Sequence, residues 1–274
     1  MASVLRAAGP GTGPAGRRRY ARGVGELLNH FVEDPRVCDY LADQRASLEY
    51  RVMTTVGPEE LESLLIRGWR RLGPFYFRPA CSGCFECVPL RIPVASFAPS
   101  GSQERAARRA RRFRVRIGAP RVDRARLDLY ARWHAARQSR RGWSPSPLGA
   151  EEYWLQFAYP HEAVREVTLW DGGSLVAVSL CDVTPRAWSA IYFFYDPKVA
   201  RLSPGFANVM LCLALARQRG IPHVYLGYRV LGCPSMRYKA TFRPHELLLG
   251  RPGPEEEPRW VAGASERPNF VNSL

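Results

Sequence analysis

Three cysteines spaced two residues apart stand in the run Tyr76-Phe-Arg-Pro-Ala-Cys81-Ser-Gly-Cys84-Phe-Glu-Cys87-Val-Pro-Leu-Arg91. Thiolates at CxxC spacing converge on one soft metal ion or iron–sulfur cluster, because the intervening turn brings the sulfurs to one side. A fourth ligand is missing locally: a ferredoxin-type run would place a cysteine before a proline, and here Val88 precedes Pro89. Cys38, in Val-Cys38-Asp-Tyr-Leu, is the available candidate. Two readings stay open for Cys38, Cys81, Cys84 and Cys87: a zinc or iron–sulfur site, or reduced, half-buried thiols.

The second chemical signal is charge. The 274-residue chain carries a formal net charge of +15, and its lysines are only Lys198 and Lys239, so nearly all the positive charge is arginine. A balance this basic favours a polyanionic partner, nucleic acid before a membrane surface, and guanidinium pairs with phosphate in a bidentate way. Glu104 to Arg116 concentrates it, with Arg105, Arg108, Arg109 and Arg112 at helical spacing. Arg137 to Arg141 continues into a Pro/Gly/Ser-rich loop carrying Trp143, a loop suited to single-stranded nucleic acid or to a plain linker.

The elements that must position these groups follow from the same pattern. A hydrophobic fraction of 46% and a charged fraction of 24% are those of a soluble globular chain long enough for one large domain or two modest ones. No apolar run of about 18 residues predicts a transmembrane helix. The Gly/Ala/Pro/Arg-rich residues 1–23 lack an apolar signal region and read as a disordered leader or an over-extended start. Seven cysteines without such a signal point to a reducing compartment, and the expected location is cytoplasmic.

Pro58 with Glu59 and Glu60 starts a helix whose Leu61, Leu64, Leu65 and Trp69 make one buried face. Strands are expected at 75–78 and 90–94, helices at 122–138 and 150–158. The second half changes character. Strand-like runs at 163–170 and 175–182 flank the hairpin signal Asp171-Gly172-Gly173, with a third strand at 188–195, a helix from Pro204 to its cap Gly220, and a strand at 223–226. That order is the order of an N-acetyltransferase-type (GNAT) acyltransferase core. The expected class is α+β: a small cysteine-bearing domain at 24–100, a basic helix and linker region at 101–147, a GNAT-like domain at 148–250 and a tail at 251–274.

Several blocks together resemble arginyl-tRNA–protein transferases and their bacterial aspartate/glutamate leucyltransferase relatives. They are Cys38-Asp-Tyr40-Leu41, Arg67-Gly-Trp69-Arg-Arg71, Arg78-Pro79-Ala-Cys81 with Cys84 and Cys87, and Arg91-Ile-Pro-Val. In the second half Tyr195-Asp196-Pro197, Ser203-Pro-Gly205 and Leu226-Gly227-Tyr228…Gly232-Cys233-Pro234…Met236-Arg-Tyr238-Lys239…Phe242-Arg243-Pro244 join them. The resemblance spans roughly residues 35–250. Ala42 stands where the family commonly has proline, and Pro204 where it has an apolar residue. The upstream CxxC that supplies metal ligands in eukaryotic members is absent.

The resemblance implies transfer of leucine from charged tRNA onto the N-terminal amine of proteins that begin with Asp or Glu, the N-degron (N-end rule) route to protein degradation. Arginine as the transferred residue is the first alternative. A coenzyme-A-dependent N-acetyltransferase and a non-enzymatic RNA-binding protein are the others. The reaction is aminolysis of an ester and requires no cofactor. The enzyme must orient the reactants, stabilise an oxyanion and recognise a carboxylate. For tRNA the candidates are Arg105, Arg108, Arg109, Arg112, Arg140 and Arg141; for the acceptor carboxylate, Arg78, Arg91 and Arg243. At the amine they are Tyr195, Asp196, Tyr228, Tyr238 and Lys239, of which Lys239 is the rare lysine of an arginine-rich chain.

Overall fold

A computed structural model describes residues 25–141 and 147–263. The first part of the chain gives β1 (Glu26–Val32), β2 (Arg36–Val37), β3 (Arg45–Ala46), β4 (Leu48–Thr54), α1 (Pro58–Ile66), β5 (Arg70–Leu72), β6 (Phe75–Pro79) and β7 (Val88–Pro93). Next come α2 (Gly101–Ala110), β8 (Arg114–Gly118), α3 (Arg124–Arg141) and α4 (Ala150–Tyr153), which runs into a π-helical turn, Trp154–Ala158. The remainder holds β9 (Val164–Asp171), β10 (Ser174–Val183), β11 (Ala187–Tyr195), α5 (Pro204–Gln218), β12 (His223–Arg229), α6 (Pro234–Arg237), β13 (Glu246–Leu248) and β14 (Trp260–Ala262).

Among the described residues these strands make a mixed α/β architecture. One sheet runs β14-β13-β7-β12-β11-β10-β9-β8, a second runs β1-β4-β6-β5, and β2 pairs with β3. β7 lies between β13 and β12 in the large sheet, so the chain crosses from the cysteine-bearing segment into that sheet before residue 100. The 251–274 segment contributes as well: β14 pairs with β13, and Trp260 Nε1 donates to Ile66 O at 2.9 Å.

The sequence signals explain most boundaries. Gly57 caps α1, Pro58 needs no amide partner in the first turn, Glu59 and Glu60 face the positive end of the helix dipole, and Leu61, Leu64 and Leu65 are buried. Gly172, at φ +58°, turns β9 back onto β10. Leu213, Val209, Cys212 and Ala216 of α5 pack on Val224, Leu90 and Ile92 of the sheet. Each fully buried Val or Leu there contributes roughly 1.5–3 kcal/mol.

The arginine run is shorter as a helix than its spacing predicts. α2 begins with a capping box between Ser100 and Gln103 and ends at Ala110. Arg114 and Arg116 then lie on β8, because β9 offers an unpaired edge in register from Arg114↔Trp170 to Gly118↔Glu166.

Buried charge ties the two sheets together. Arg71 on β5 donates through Nε to both carboxylate oxygens of Asp182 on β10, at 3.1 and 3.0 Å, with both side chains almost without solvent contact. Removing one partner leaves a buried, uncompensated charge. Asp182→Ala is therefore expected to cost about 3–5 kcal/mol of stability in a denaturant titration; a loss within the range of an ordinary surface substitution would contradict the pairing.

Candidate active site

The central feature is a parting of two parallel strands. β11 and β12 pair only at Ala187↔His223, Trp188↔Val224 and Ser189↔Tyr225, after which each strand continues without the other. On its other side β12 pairs with β7, where the register shifts between Tyr225 and Gly227. Separated strands leave backbone groups that need partners. Arg70 supplies one from β5: its Nη2 donates to Ala190 O, while its Nη1 donates to the Ser189 hydroxyl at 2.9 Å.

Lys239 enters the same wedge from the 3₁₀ turn Tyr238–Thr241 that follows α6. Its Nζ donates to Tyr228 O at 3.1 Å. Gly227 lies between the two cations at φ +75°, and a Cβ on it would stand 3.5 Å from Arg70 Nε and 3.7 Å from Lys239 Nζ. Those distances are ordinary van der Waals contact, and it is the left-handed backbone that favours glycine here. Neither Arg70 nor Lys239 has an ion-pair partner among the described residues. Burial and the adjacent Arg70 guanidinium hold the Lys239 ammonium down to about 7, with Cys87 and Cys233 opposing weakly. Near neutral pH Lys239 therefore exists partly as a free amine, while burial also lowers Arg70 from its very high normal value.

The other candidates at the amine are placed differently. Tyr228 is buried, and its hydroxyl donates to Gly68 O at 3.0 Å and Phe77 O at 3.3 Å, which fastens β12 to the small sheet. Asp196 Oδ1 accepts from the amide of Lys198 at 3.0 Å and caps the turn Pro197–Leu202, while Oδ2 pairs with Arg132 at 3.3 Å. Tyr195 Oη accepts from Arg137 Nη2 at 3.2 Å. Tyr238 packs its ring 5.8 Å from Phe206, and burial raises its phenol.

Two of the carboxylate-binding candidates are already engaged. Arg78 Nε donates to Glu49 Oε2 at 2.6 Å, and its guanidinium lies 4.7 Å above the Trp69 ring. Arg91 Nε donates to Glu246 Oε2 at 2.6 Å and lies 4.3 Å above Trp260. Arg243 is exposed, and its Nε donates to Ala240 O at 3.5 Å.

On α2, Arg105, Arg108 and Arg109 are exposed, with Arg108 3.9 Å from Glu104. Arg112, just past the helix end, pairs with Asp171 at 3.2 Å. Gln103 Nε2 donates to Thr241 O at 3.0 Å, so this basic helix is fixed to the segment that carries Lys239. Arg140 and Arg141 fall in the last turn of α3, where side-chain positions lie outside the described residues, as does the Trp143 loop.

The cysteines share one neighbourhood. Cys81, Cys84 and Cys87 line a narrow cleft of about 40 Å³ with Arg78 and Arg251. Burial, followed by Cys81, Cys38 and Cys84, pushes the Cys87 thiol up to about 12. The donor types suit a soft metal. Their placement does not: no group of three or more His, Cys, Asp or Glu among the described residues is set to hold an ion. Cys81 Sγ donates instead to Ser47 O at 3.6 Å, and Cys38 Sγ accepts from the Tyr40 amide at 3.5 Å. A thiol so raised has little thiolate at pH 7.5, so alkylation of Cys87 in the folded protein, followed by mass spectrometry, should run at least about 100-fold slower than in the unfolded chain. Equal rates would contradict the placement.

The comparisons with known proteins bear on this site. The family model described as "Arginine-tRNA-protein transferase, N terminus" matches residues 36–105, and the one described as "Arginine-tRNA-protein transferase, C terminus" matches residues 125–249. The chain belongs to this family. An aspartate/glutamate leucyltransferase of Helicobacter hepaticus is 30% identical over 234 residues, which cover 85% of this chain and 97% of the relative. A Halorhodospira halophila protein of the same name is 36% identical, over 78% of this chain and 91% of its own length. Among solved structures, the C-terminal domain of a lysylphosphatidylglycerol synthetase from Agrobacterium fabrum is 14% identical at a TM-score of 0.41, over 72% of this chain and 70% of that one. As a member of the transferase family the chain is an enzyme. The family models cover both Arg70, which the sequence pattern included in the Arg67–Arg71 block without a role, and Lys239, which it singled out. Among the described residues no helix is long and apolar enough to cross a membrane.

Proposed function

We propose that this chain transfers leucine from charged tRNA to the N-terminal amine of proteins beginning with Asp or Glu, and that the wedge between β11 and β12 is the transfer centre. One observation carries the proposal: two buried cationic side chains, Arg70 and Lys239, meet where the strands part with no ion-pair partner among the described residues. Such a place favours an anion that exists only during the reaction. The splayed parallel strands also support the reading of the second half as a GNAT-like core.

The acceptor amine attacks the ester carbonyl that joins the amino acid to the tRNA ribose. A C–N bond forms and the carbonyl oxygen becomes an oxyanion beside the Arg70 guanidinium. The attacking nitrogen must lose a proton, and the neutral amine of Lys239 takes it. The C–O bond to the ribose then breaks, and the resulting lysine ammonium returns a proton to the departing oxygen. An acceptor amine with a normal value near 7.7–8.0 needs only a mild base, and a lysine held near 7 is matched to that task. The exposed arginines of α2 supply phosphate contacts, held in register with Lys239 through Gln103 and Thr241. The N-degron role follows from the reaction.

The test uses labelled leucine and, separately, labelled arginine on charged tRNA, with peptides beginning with Asp or Ala as acceptors. Label from leucyl-tRNA on the Asp peptide alone is the expected result. Label from arginyl-tRNA instead would reassign the donor, and none from either would sink the proposal.

A further inference from the structure

A cavity of about 430 Å³ opens at the end of β12, lined by Leu41, Asp43, Gln44, Glu86, Arg229 and Leu231 among others. Its size falls within the usual range for small-ligand sites, about 300–1,000 Å³. Arg229 is the odd member. It is 2% exposed, yet its Nε and Nη1 have no hydrogen-bond partner. A buried guanidinium with idle donors is costly unless something supplies acceptors.

Arg229 is the last residue of β12, two positions after Gly227. Beyond the register shift Gly227 pairs with Leu90 and Arg229 with Val88, and Lys239 Nζ meets the Tyr228 carbonyl between them at 3.1 Å, so Arg229 directly follows the residue that Lys239 touches. Burial lowers the Arg229 guanidinium, opposed by Glu86.

We infer that Arg229 is a specificity-determining residue, and that it receives the side-chain carboxylate of the acceptor's N-terminal Asp or Glu. The ligand is named on the strength of the transfer reading above. The cavity's own charges favour it over a phosphate: Glu86 and Asp43 line the same space and would repel a dianion. An amine next to Lys239 and a carboxylate on Arg229 orient the acceptor for attack and leave neutral N-termini without a grip.

The experiment is calorimetric binding of two peptides, identical except for N-terminal Asp or Asn, to the full chain and to Arg229→Gln. The wild type should bind the Asp peptide about 10- to 100-fold more tightly, the span of a charge-assisted hydrogen bond. Arg229→Gln should bring the two affinities together and leave that for Asn unchanged. Equal affinities in the wild type, or a preference that survives Arg229→Gln, overturns the assignment. A readout that needs no substitution guards against misfolding: the Arg229 Nε–H NMR resonance should move on adding the Asp peptide and not the Asn peptide, and an unmoved resonance overturns the assignment as well. Arg229-dependent preference without leucine transfer would retain this site and sink the transfer reading. Transfer with an Arg229-independent preference would do the reverse.

Discussion

Lys239→Met is expected to lower the single-turnover rate of leucine transfer by about 10²-fold or more, the scale of a lost general base, while making the protein more stable. Both effects have one cause. The Lys239 ammonium is disfavoured by burial and by Arg70, so its folded value near 7 lies far below that of an unfolded lysine. Between those two values the unfolded chain binds a proton that the folded one does not. The resulting penalty is absent at high pH, grows as pH falls toward 7 and is complete below it. Methionine removes it, so thermal stability should rise most at pH 6–7, by about 2–4 °C for each kcal/mol, and the gain should fade toward pH 10. A variant that keeps its activity, or is less stable throughout, would count against the placement.

The second large effect is expected at Arg70. Arg70→Gln removes the cation assigned to the oxyanion and should reduce kcat by about 10²–10³-fold, with a much smaller change in KM for the peptide. It should also act on Lys239. Without an adjacent like charge the ammonium is less disfavoured, so the low-pH limb of kcat should move to higher pH. A merely structural arginine would not shift that limb. Because Arg70 also serves Ser189 and Ala190, the near-ultraviolet circular dichroism of the variant should be compared with wild type. A fall in kcat with an unmoved limb would leave Arg70 as a strut for β11.

How much of this was legible in the sequence depends on how far apart the partners lie. Lys239 stood out because the chain uses lysine only twice, and the Asp171–Gly173 turn because two glycines interrupt two strand-like runs. Arg70 did not stand out: it is one more arginine next to Arg71, although Arg71 pairs with Asp182 and Arg70 makes no ion pair among the described residues. Nor does any local pattern tell that Arg78 is taken by Glu49 or Arg91 by Glu246, pairs 29 and 155 residues apart in the chain. The end of α2 was hidden for a related reason, since the free edge of β9 competes for Arg114–Gly118. β1 carries no alternation to read, because all seven of its residues are exposed. Arg229 was passed over because the strand expected at 223–226 stops short of it; the observed strand runs on to Arg229, and a buried arginine with idle donors is the least expected occupant of its end.

The most direct test of the central claim, that the Arg70–Lys239 wedge performs the transfer, is the pH profile of single-turnover leucine transfer to an Asp-initiated peptide, with charged tRNA saturating. The wild type should transfer leucine with a rate that rises through about pH 7, where Lys239 loses its proton. In Lys239→Met that rise should vanish, leaving a slow rate governed by the acceptor amine alone near pH 7.7–8.0. Transfer at the same rate and with the same profile in both proteins would place the chemistry outside the wedge.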